Sequence, residues 1–205
     1  MILDLIENWV GGVGAVAGLV TLAIAVWQGV WRGLRHTPGR TTGMADKILR
    51  VPLLLIFSFL WLALLFFLRH PIPLTLSIPF RVCALVLGTL LYYSGLALYL
   101  WGVYSLGEMF KPSSAFGVQL NVGHRLITHG PFAFVRHPLY LGLQIAAIGG
   151  LLVYRNWTFL FVLVNCLGLF IRARREEQAL AAEFGEEWKA YSQKVHIWIP
   201  RLHRK

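Results

Sequence analysis

Five apolar runs dominate this chain and restrict its fold more than any other feature of the sequence. The first contains no charged residue over 22 positions and has tryptophans near both ends. A helix of this length can cross a bilayer, because all of its backbone polar groups are bonded within the segment. The sequence therefore predicts an all-α integral membrane protein with about five transmembrane helices, in residues 10–31, 51–68, 82–104, 138–154 and 157–171.

The charged residues are few and unevenly placed. They make up 14% of the chain against 57% hydrophobic residues, too little charge to cover a soluble globule. The net charge is +10, and sixteen of the nineteen lysines and arginines fall in residues 32–50, 105–137 and 172–205. This asymmetry is the positive-inside pattern, so we expect those segments to be cytoplasmic, with the N-terminus outside and the C-terminus inside. It explains the basic charge without a nucleic-acid partner.

The length of 205 residues predicts a single membrane domain, with three spans in residues 1–104 and a polar loop, a hairpin and a C-terminal helix in residues 105–205. The last two apolar runs have only 17 and 15 residues and are joined by Arg155 and Asn156, as in a tight helical hairpin. No Gly or Pro occurs from residue 169 to 184. We therefore expect the last helix to continue beyond the membrane.

A candidate polar site combines two separated segments. Arg136 and His137 precede Pro138 at the start of the fourth run, where proline suits the first helical turn and the free N–H groups attract a carboxylate. Arg172 and Glu176 are four residues apart on the last helix and so face the same way. Together they predict a cytoplasmic site for a zwitterion, with a lipophilic partner molecule entering from the bilayer. For Arg172 and Glu176, a surface ion pair or a contact with lipid headgroups is the simpler alternative.

In this site the helix N-terminus and His137 would take a carboxylate, and Glu176 or Glu177 an ammonium group. Arg172 would remain for an anionic second substrate, since a guanidinium binds carboxylates in a bidentate manner. The spacing of the histidines His124, His129 and His137 fits no common metal site, so we predict no metal.

Two other features of the sequence concern packing. Gly14 and Gly18 are four residues apart in the first run and allow another helix to approach closely, so the choice between monomer and homodimer stays open. Cys83 and Cys166 both lie inside apolar runs, which makes a structural disulfide an unfavourable interpretation.

The two polar segments resemble the isoprenylcysteine carboxyl methyltransferase family. The resemblance covers about the last 100 residues and implies an integral membrane enzyme that uses S-adenosylmethionine, releases S-adenosylhomocysteine and methylates the carboxylate of a lipophilic or prenylated acceptor. Phospholipid N-methyltransferases share a looser version, which leaves amine N-methylation as an alternative. The residues that carry the resemblance are GHRLITHGPFAFVRHPLYLG at 123–142, then Arg172, Glu176, Glu177, Phe184, Gly185, Trp188, Tyr191 and Pro200.

The resemblance also implies a cofactor site formed by the loop at 105–137 and the C-terminal helix. Arg172 would position the acceptor and Glu176 would lie near the reacting end, as the catalytic pair. Phe132 stands where the family often has tyrosine, which removes one hydroxyl. The implied cofactor contacts are Gln119, His124, Leu126, Ile127, Phe132, Arg136, His137, Pro138, Leu139, Tyr140, Glu176 and Glu177.

Two rival interpretations assign the chain to other classes of protein. A membrane reductase of the sterol type would use a nicotinamide cofactor, but such enzymes usually carry asparagine in place of Leu139 and lack the paired glutamates. A non-enzymatic scaffold or transporter predicts ionisable residues within its spans, and the first three runs contain none. The sequence leaves the acceptor nucleophile open among oxygen, nitrogen and sulfur.

Overall fold

The computed structural model describes residues 1–35, 51–109 and 125–199, and these form helices with short connections. No β-strand occurs in these ranges beyond isolated bridges, so the all-α prediction is confirmed for them. Short 3-10 turns lie at Gly107–Met109 and Gly130–Ala133. The α-helices in the described part are α1 (Ile2–Arg35), α2 (Val51–Phe67), α3 (Ile78–Leu106), α4 (Pro138–Tyr154), α5 (Trp157–Cys166) and α6 (Gly168–Lys194).

Within the described ranges, three helical segments are long and apolar enough to cross a membrane: Ile2–Gln28, Ile78–Leu106 and Trp157–Lys194. The last joins α5 and α6, because Leu167 between them keeps helical angles of φ −61° and ψ −32°. As predicted, α6 stays helical well beyond the apolar run, up to Gly185 with φ 48°. α4 is shorter, at 17 residues, and is not one of these three segments, so the count of five spans stays a prediction. The orientation in the membrane also stays a prediction.

The interface between α3 and α4 depends on glycines. A Cβ atom at Gly95 would lie 2.6 Å from the carbonyl oxygen of Gly142, and one at Gly88 would lie 2.9 Å from that of Gly149. The two backbones are therefore close enough for direct contact, as small residues allow between membrane helices. This contact fixes the position of α4, which His137 precedes and whose first turn carries Tyr140.

Tyrosines attach α1 to this pair of helices. The hydroxyl of Tyr92 on α3 donates to the carbonyl oxygen of Gly14 at 3.1 Å, and that of Tyr154 on α4 donates to Gly11 at 2.7 Å. A Cβ atom at Gly14 would lie 2.6 Å from the Tyr154 hydroxyl, and one at Gly18 would collide with that of Tyr92. The prediction that these glycines admit another helix is confirmed within the chain itself.

A cluster of charges, here called the N-terminal charge cluster (Asp4, Glu7, Arg81 and Arg155), joins the starts of α1 and α3 to the turn after α4. Arg81 lies 2.6 Å from Asp4 and 2.7 Å from Glu7, and Arg155 lies 2.9 Å from Glu7. The side chain of Glu7 is only 12% exposed, whereas that of Asp4 is 55% exposed. Glu7 is thus the least exposed member of the cluster, at the end of α4 opposite His137.

Replacing Glu7 by alanine is expected to lower the melting temperature in detergent by several degrees. The change leaves Arg155 without its carboxylate and Arg81 with a single, exposed one. Asp4→Ala is the matched control and should have a much smaller effect, because its ion pair is largely exposed to water. Equal shifts in the two variants, measured by thermal unfolding of the purified protein, would contradict this account.

Candidate functional site

The segment before α4 places His137 at the start of that helix. Gly130 adopts φ 62° and starts a 3-10 turn in which Pro131 and Phe132 are buried. His137 then forms the N-terminal boundary of α4 with Pro138 in its first turn, as the sequence predicts, and no side chain caps this end. The backbone N–H groups of this turn are therefore available to an anionic group.

The first set of contacts joins this turn to Glu177 on α6. A terminal guanidinium nitrogen of Arg136 lies 2.9 Å from Glu177 Oε1, and His137 Nε2 lies 3.3 Å from the same atom. The side chain of His137 is 5% exposed and that of Arg136 is 16% exposed. One carboxylate thus links a cation and an imidazole that are both shielded from solvent, where ionic contacts are strong.

The second set of contacts centres on Tyr140, in the first turn of α4. Its hydroxyl donates to Glu176 Oε2 at 2.7 Å and accepts a hydrogen bond from Arg172 Nε at 2.8 Å. Its ring stacks on His137, with centroids 5.4 Å apart and planes 3° from parallel. Tyr140 therefore connects Arg172 and Glu176 on α6 to the imidazole at the start of α4.

The two polar segments predicted to meet do meet at one end of the α4 helix. Six of the predicted site residues form one connected cluster, here called the polar cluster: Arg136, His137, Tyr140, Arg172, Glu176 and Glu177. Their roles toward a ligand stay predictions.

The other predicted contact residues are placed as follows. Pro138 is buried in the first turn of α4, and Leu139 packs against Gly102 of α3. Leu126 and Ile127 are partly buried in the segment leading to it. Phe132 is buried, and its carbonyl oxygen accepts a hydrogen bond from Tyr191 at 2.8 Å. Gln119 and His124 lie outside the described residues.

The structure adds aromatic residues that the sequence reasoning did not assign to the site. Trp188 is buried below the guanidinium of Arg136, at 5.8 Å from its ring centroid. Trp198 lies 5.7 Å from the His137 ring. Trp188 was among the residues that carry the family resemblance, whereas nothing in the local sequence pointed to Trp198, because it follows the end of the helix.

The polar cluster has the chemistry of a site for a zwitterion. It places the carboxylates of Glu176 and Glu177 within reach of two guanidiniums, so its formal charges balance before a ligand enters. Arg136 Nε is buried and has no hydrogen-bond partner among the described residues. A buried donor of this kind normally has a partner, and an anionic ligand group would provide one.

Comparison with known proteins locates this cluster within a known family's sequence. Residues 85–182 match the isoprenylcysteine carboxyl methyltransferase (ICMT) family. A protein-S-isoprenylcysteine O-methyltransferase of Schizosaccharomyces pombe is 39% identical over 84 residues, which cover 40% of this chain and 36% of the relative. One of Saccharomyces cerevisiae is 32% identical over 126 residues, covering 60% of this chain and 52% of the relative.

A third relative carries a different name. The methanethiol S-methyltransferase 1 of Bradyrhizobium diazoefficiens is 38% identical over 69 residues, covering 34% of this chain and 24% of the relative. The chain thus spans between about a quarter and about half the length of these relatives. All six residues of the polar cluster lie inside residues 85–182, and over this region the protein resembles the isoprenylcysteine carboxyl methyltransferase family.

Proposed function

We propose that this protein transfers a methyl group from S-adenosylmethionine to the carboxylate of a lipophilic acceptor, at the cytoplasmic face of a membrane. One observation carries the proposal: Tyr140 joins Arg172 and Glu176 beside the uncapped start of α4, within the region that resembles a methyltransferase family. A prenylated cysteine is the favoured acceptor, because relatives of this region carry the name isoprenylcysteine O-methyltransferase.

The polar cluster fits the amino-acid part of this donor. The buried Arg136 Nε and the first turn of α4 provide donors for its carboxylate. Glu177, and Glu176 beside it, provide acceptors for its ammonium group. The polar cluster therefore offers hydrogen-bond donors for the carboxylate and acceptors for the ammonium group. Neither a lipid tail nor bulk water would hold both charged groups in one place.

The reaction itself needs little acid–base help from the protein. S-adenosylmethionine supplies a methyl carbon activated on a positively charged sulfur. An acceptor carboxylate oxygen forms a bond to that carbon while the carbon–sulfur bond breaks and its electron pair stays on sulfur, so no proton moves. The residues of the chain then have two tasks, which are to align the reactants and to exclude water. Arg172 would hold the acceptor carboxylate, and Tyr140 holds Arg172 at its Nε.

A thiol acceptor is the second candidate, because one relative is named as a methanethiol S-methyltransferase. A thiol must lose its proton before or during the transfer. Glu176 is the carboxylate in hydrogen-bond contact with Tyr140, next to Arg172, and would accept that proton.

The test has a binding step and a transfer step on the purified protein in detergent. S-adenosylhomocysteine should raise the melting temperature while NADPH should not, since a ligand stabilises the fold that binds it. Radiolabelled methyl donor should then label an S-farnesyl cysteine derivative in preference to methanethiol and phosphatidylethanolamine. Stabilisation by NADPH alone would reject methyl transfer, and labelling of methanethiol alone would reject the carboxylate acceptor.

Tyr140→Phe should lower kcat/KM for the acceptor by about 10- to 100-fold, because hydrogen bonds to charged groups contribute about 1.5–3 kcal/mol. The variant keeps the ring that stacks on His137 and removes only the hydroxyl that joins Arg172 to Glu176. Tyr104→Phe on α3 is the control, since Tyr104 is 84% exposed. Initial rates at varied acceptor concentration measure the effect, and unchanged rates in Tyr140→Phe would remove Tyr140 from the mechanism.

A further inference from the structure

The chain does not leave the site when α6 ends. Residues 195–199, here called the C-terminal strap, turn back across the segment before α4. His196 forms a parallel bridge with Val135, and its carbonyl oxygen accepts a hydrogen bond from the Arg136 backbone N–H at 2.9 Å. The strap is thereby attached by backbone contacts at the residue that precedes His137. It lies beyond residues 85–182, the segment that matches the family.

These contacts place the indole of Trp198 between the two halves of the site. Its ring centroid lies 5.7 Å from that of His137 at the start of α4 and 4.8 Å from that of Phe170 in the first turn of α6. Phe170 comes two residues before Arg172 on the same helix. Trp198 thus makes contact with both elements that supply the polar cluster.

The His137 side chain makes no capping hydrogen bond to the start of α4. Its orientation therefore depends on the side chains around it. Tyr140 stacks parallel to its ring, Glu177 lies 3.3 Å from Nε2, and Trp198 packs against it at an interplanar angle of 36°. With these neighbours in place the residue is only 6% exposed. Aromatic contacts of this kind add to burial and restrict the ring to one position.

We propose that Trp198 is a positioning residue for donor binding, which acts by holding the His137 imidazole toward Glu177 and by shielding it from water. The expected effect on donor binding rests on the proposed function, since His137 and Glu177 belong to the predicted donor site. Its structural part, the shielding of His137, stands on the contacts of the strap alone. Trp198 is therefore expected to affect donor affinity and to leave the methyl-transfer step unchanged.

The test compares Trp198→Ala, Trp198→Phe and the control Ile199→Ala in the full-length protein. Ile199 belongs to the same strap but is 74% exposed. Trp198→Ala should raise the KM for S-adenosylmethionine and the Kd for S-adenosylhomocysteine by about tenfold, with kcat within about twofold. Trp198→Phe should restore most of the affinity, and Ile199→Ala should match the native protein. A fall in kcat at unchanged KM would overturn the proposal.

A second measurement needs no ligand. Diethylpyrocarbonate modifies exposed imidazoles, and mass spectrometry gives its rate at His137. We expect this rate to rise several-fold in Trp198→Ala and to stay unchanged in Ile199→Ala. An unchanged rate in Trp198→Ala overturns the inference. A native protein that fails to bind S-adenosylhomocysteine instead rejects the proposed function, while the modification rates still decide the role of the indole.

The experiment also allows for a variant that does not fold. If Trp198→Ala loses its cooperative unfolding transition, Trp198→Phe and Trp198→Leu replace it, since both keep an apolar side chain. A ring at this position should preserve donor affinity and protection of His137, whereas leucine should preserve neither. Equal affinity and equal protection in these two variants would contradict a role for the aromatic contact.

Discussion

Arg172→Ala is expected to abolish most acceptor turnover, by about 100-fold or more in kcat/KM, because a bidentate guanidinium contact cannot be replaced by water or by alanine. Donor affinity should stay close to that of the native protein. The reason is geometric: Arg172 Nε donates a hydrogen bond to the Tyr140 hydroxyl, whereas Arg136 and His137 contact Glu177. Initial rates and S-adenosylhomocysteine binding, measured on the same preparation, separate the two effects.

Arg175→Ala is the matched control for Arg172→Ala. It removes the same charge from α6 three residues later, where the side chain is exposed. It therefore tests whether the loss of one positive charge on this helix lowers activity by itself. We expect near-native activity in this variant. Loss of donor binding in Arg172→Ala, with acceptor affinity intact, would reverse the roles assigned to the two halves of the polar cluster.

Gly95→Val is expected to have the largest effect on stability, more than about 3 kcal/mol, because the added atoms meet backbone and not a flexible side chain. A Cβ atom there would lie 2.6 Å from the Gly142 carbonyl oxygen and 2.9 Å from Ala146 Cα. α3 and α4 would have to separate, and the start of α4 would move with them. Unfolding in detergent measures the loss of stability, and donor binding should be lost in parallel.

Gly12→Val provides the control for Gly95→Val. Gly12 lies in the interior of α1, and a Cβ atom there would meet no atom of a neighbouring element within 4 Å. Both substitutions place a β-branched residue in a helix interior, so their intrinsic helix propensities change equally. A comparable loss of stability in the two variants would show that propensity, and not the contact between α3 and α4, determines the result.

The sequence, with the family resemblance, was sufficient for the fold class and for the identity of the six residues of the polar cluster. Long uncharged runs restrict a chain to lipid-compatible helices, so the all-α prediction followed from local composition alone. Pro138 marked the start of α4, and the absence of Gly or Pro after residue 169 indicated that α6 would continue beyond the apolar run. Local rules of this kind depend on neighbours in the sequence, which is why they were reliable here.

Only the tertiary structure decided how the two polar segments are joined. Tyr140 could be placed on α4 from the sequence, but its hydrogen bonds to Arg172 and Glu176 depend on the distance between α4 and α6. That distance follows from packing between helices remote in the chain, beginning with the glycine contacts of α3 and α4. Trp198 reaches His137 by a return of the chain after α6, and side chains so far apart in sequence meet only once the whole fold has formed.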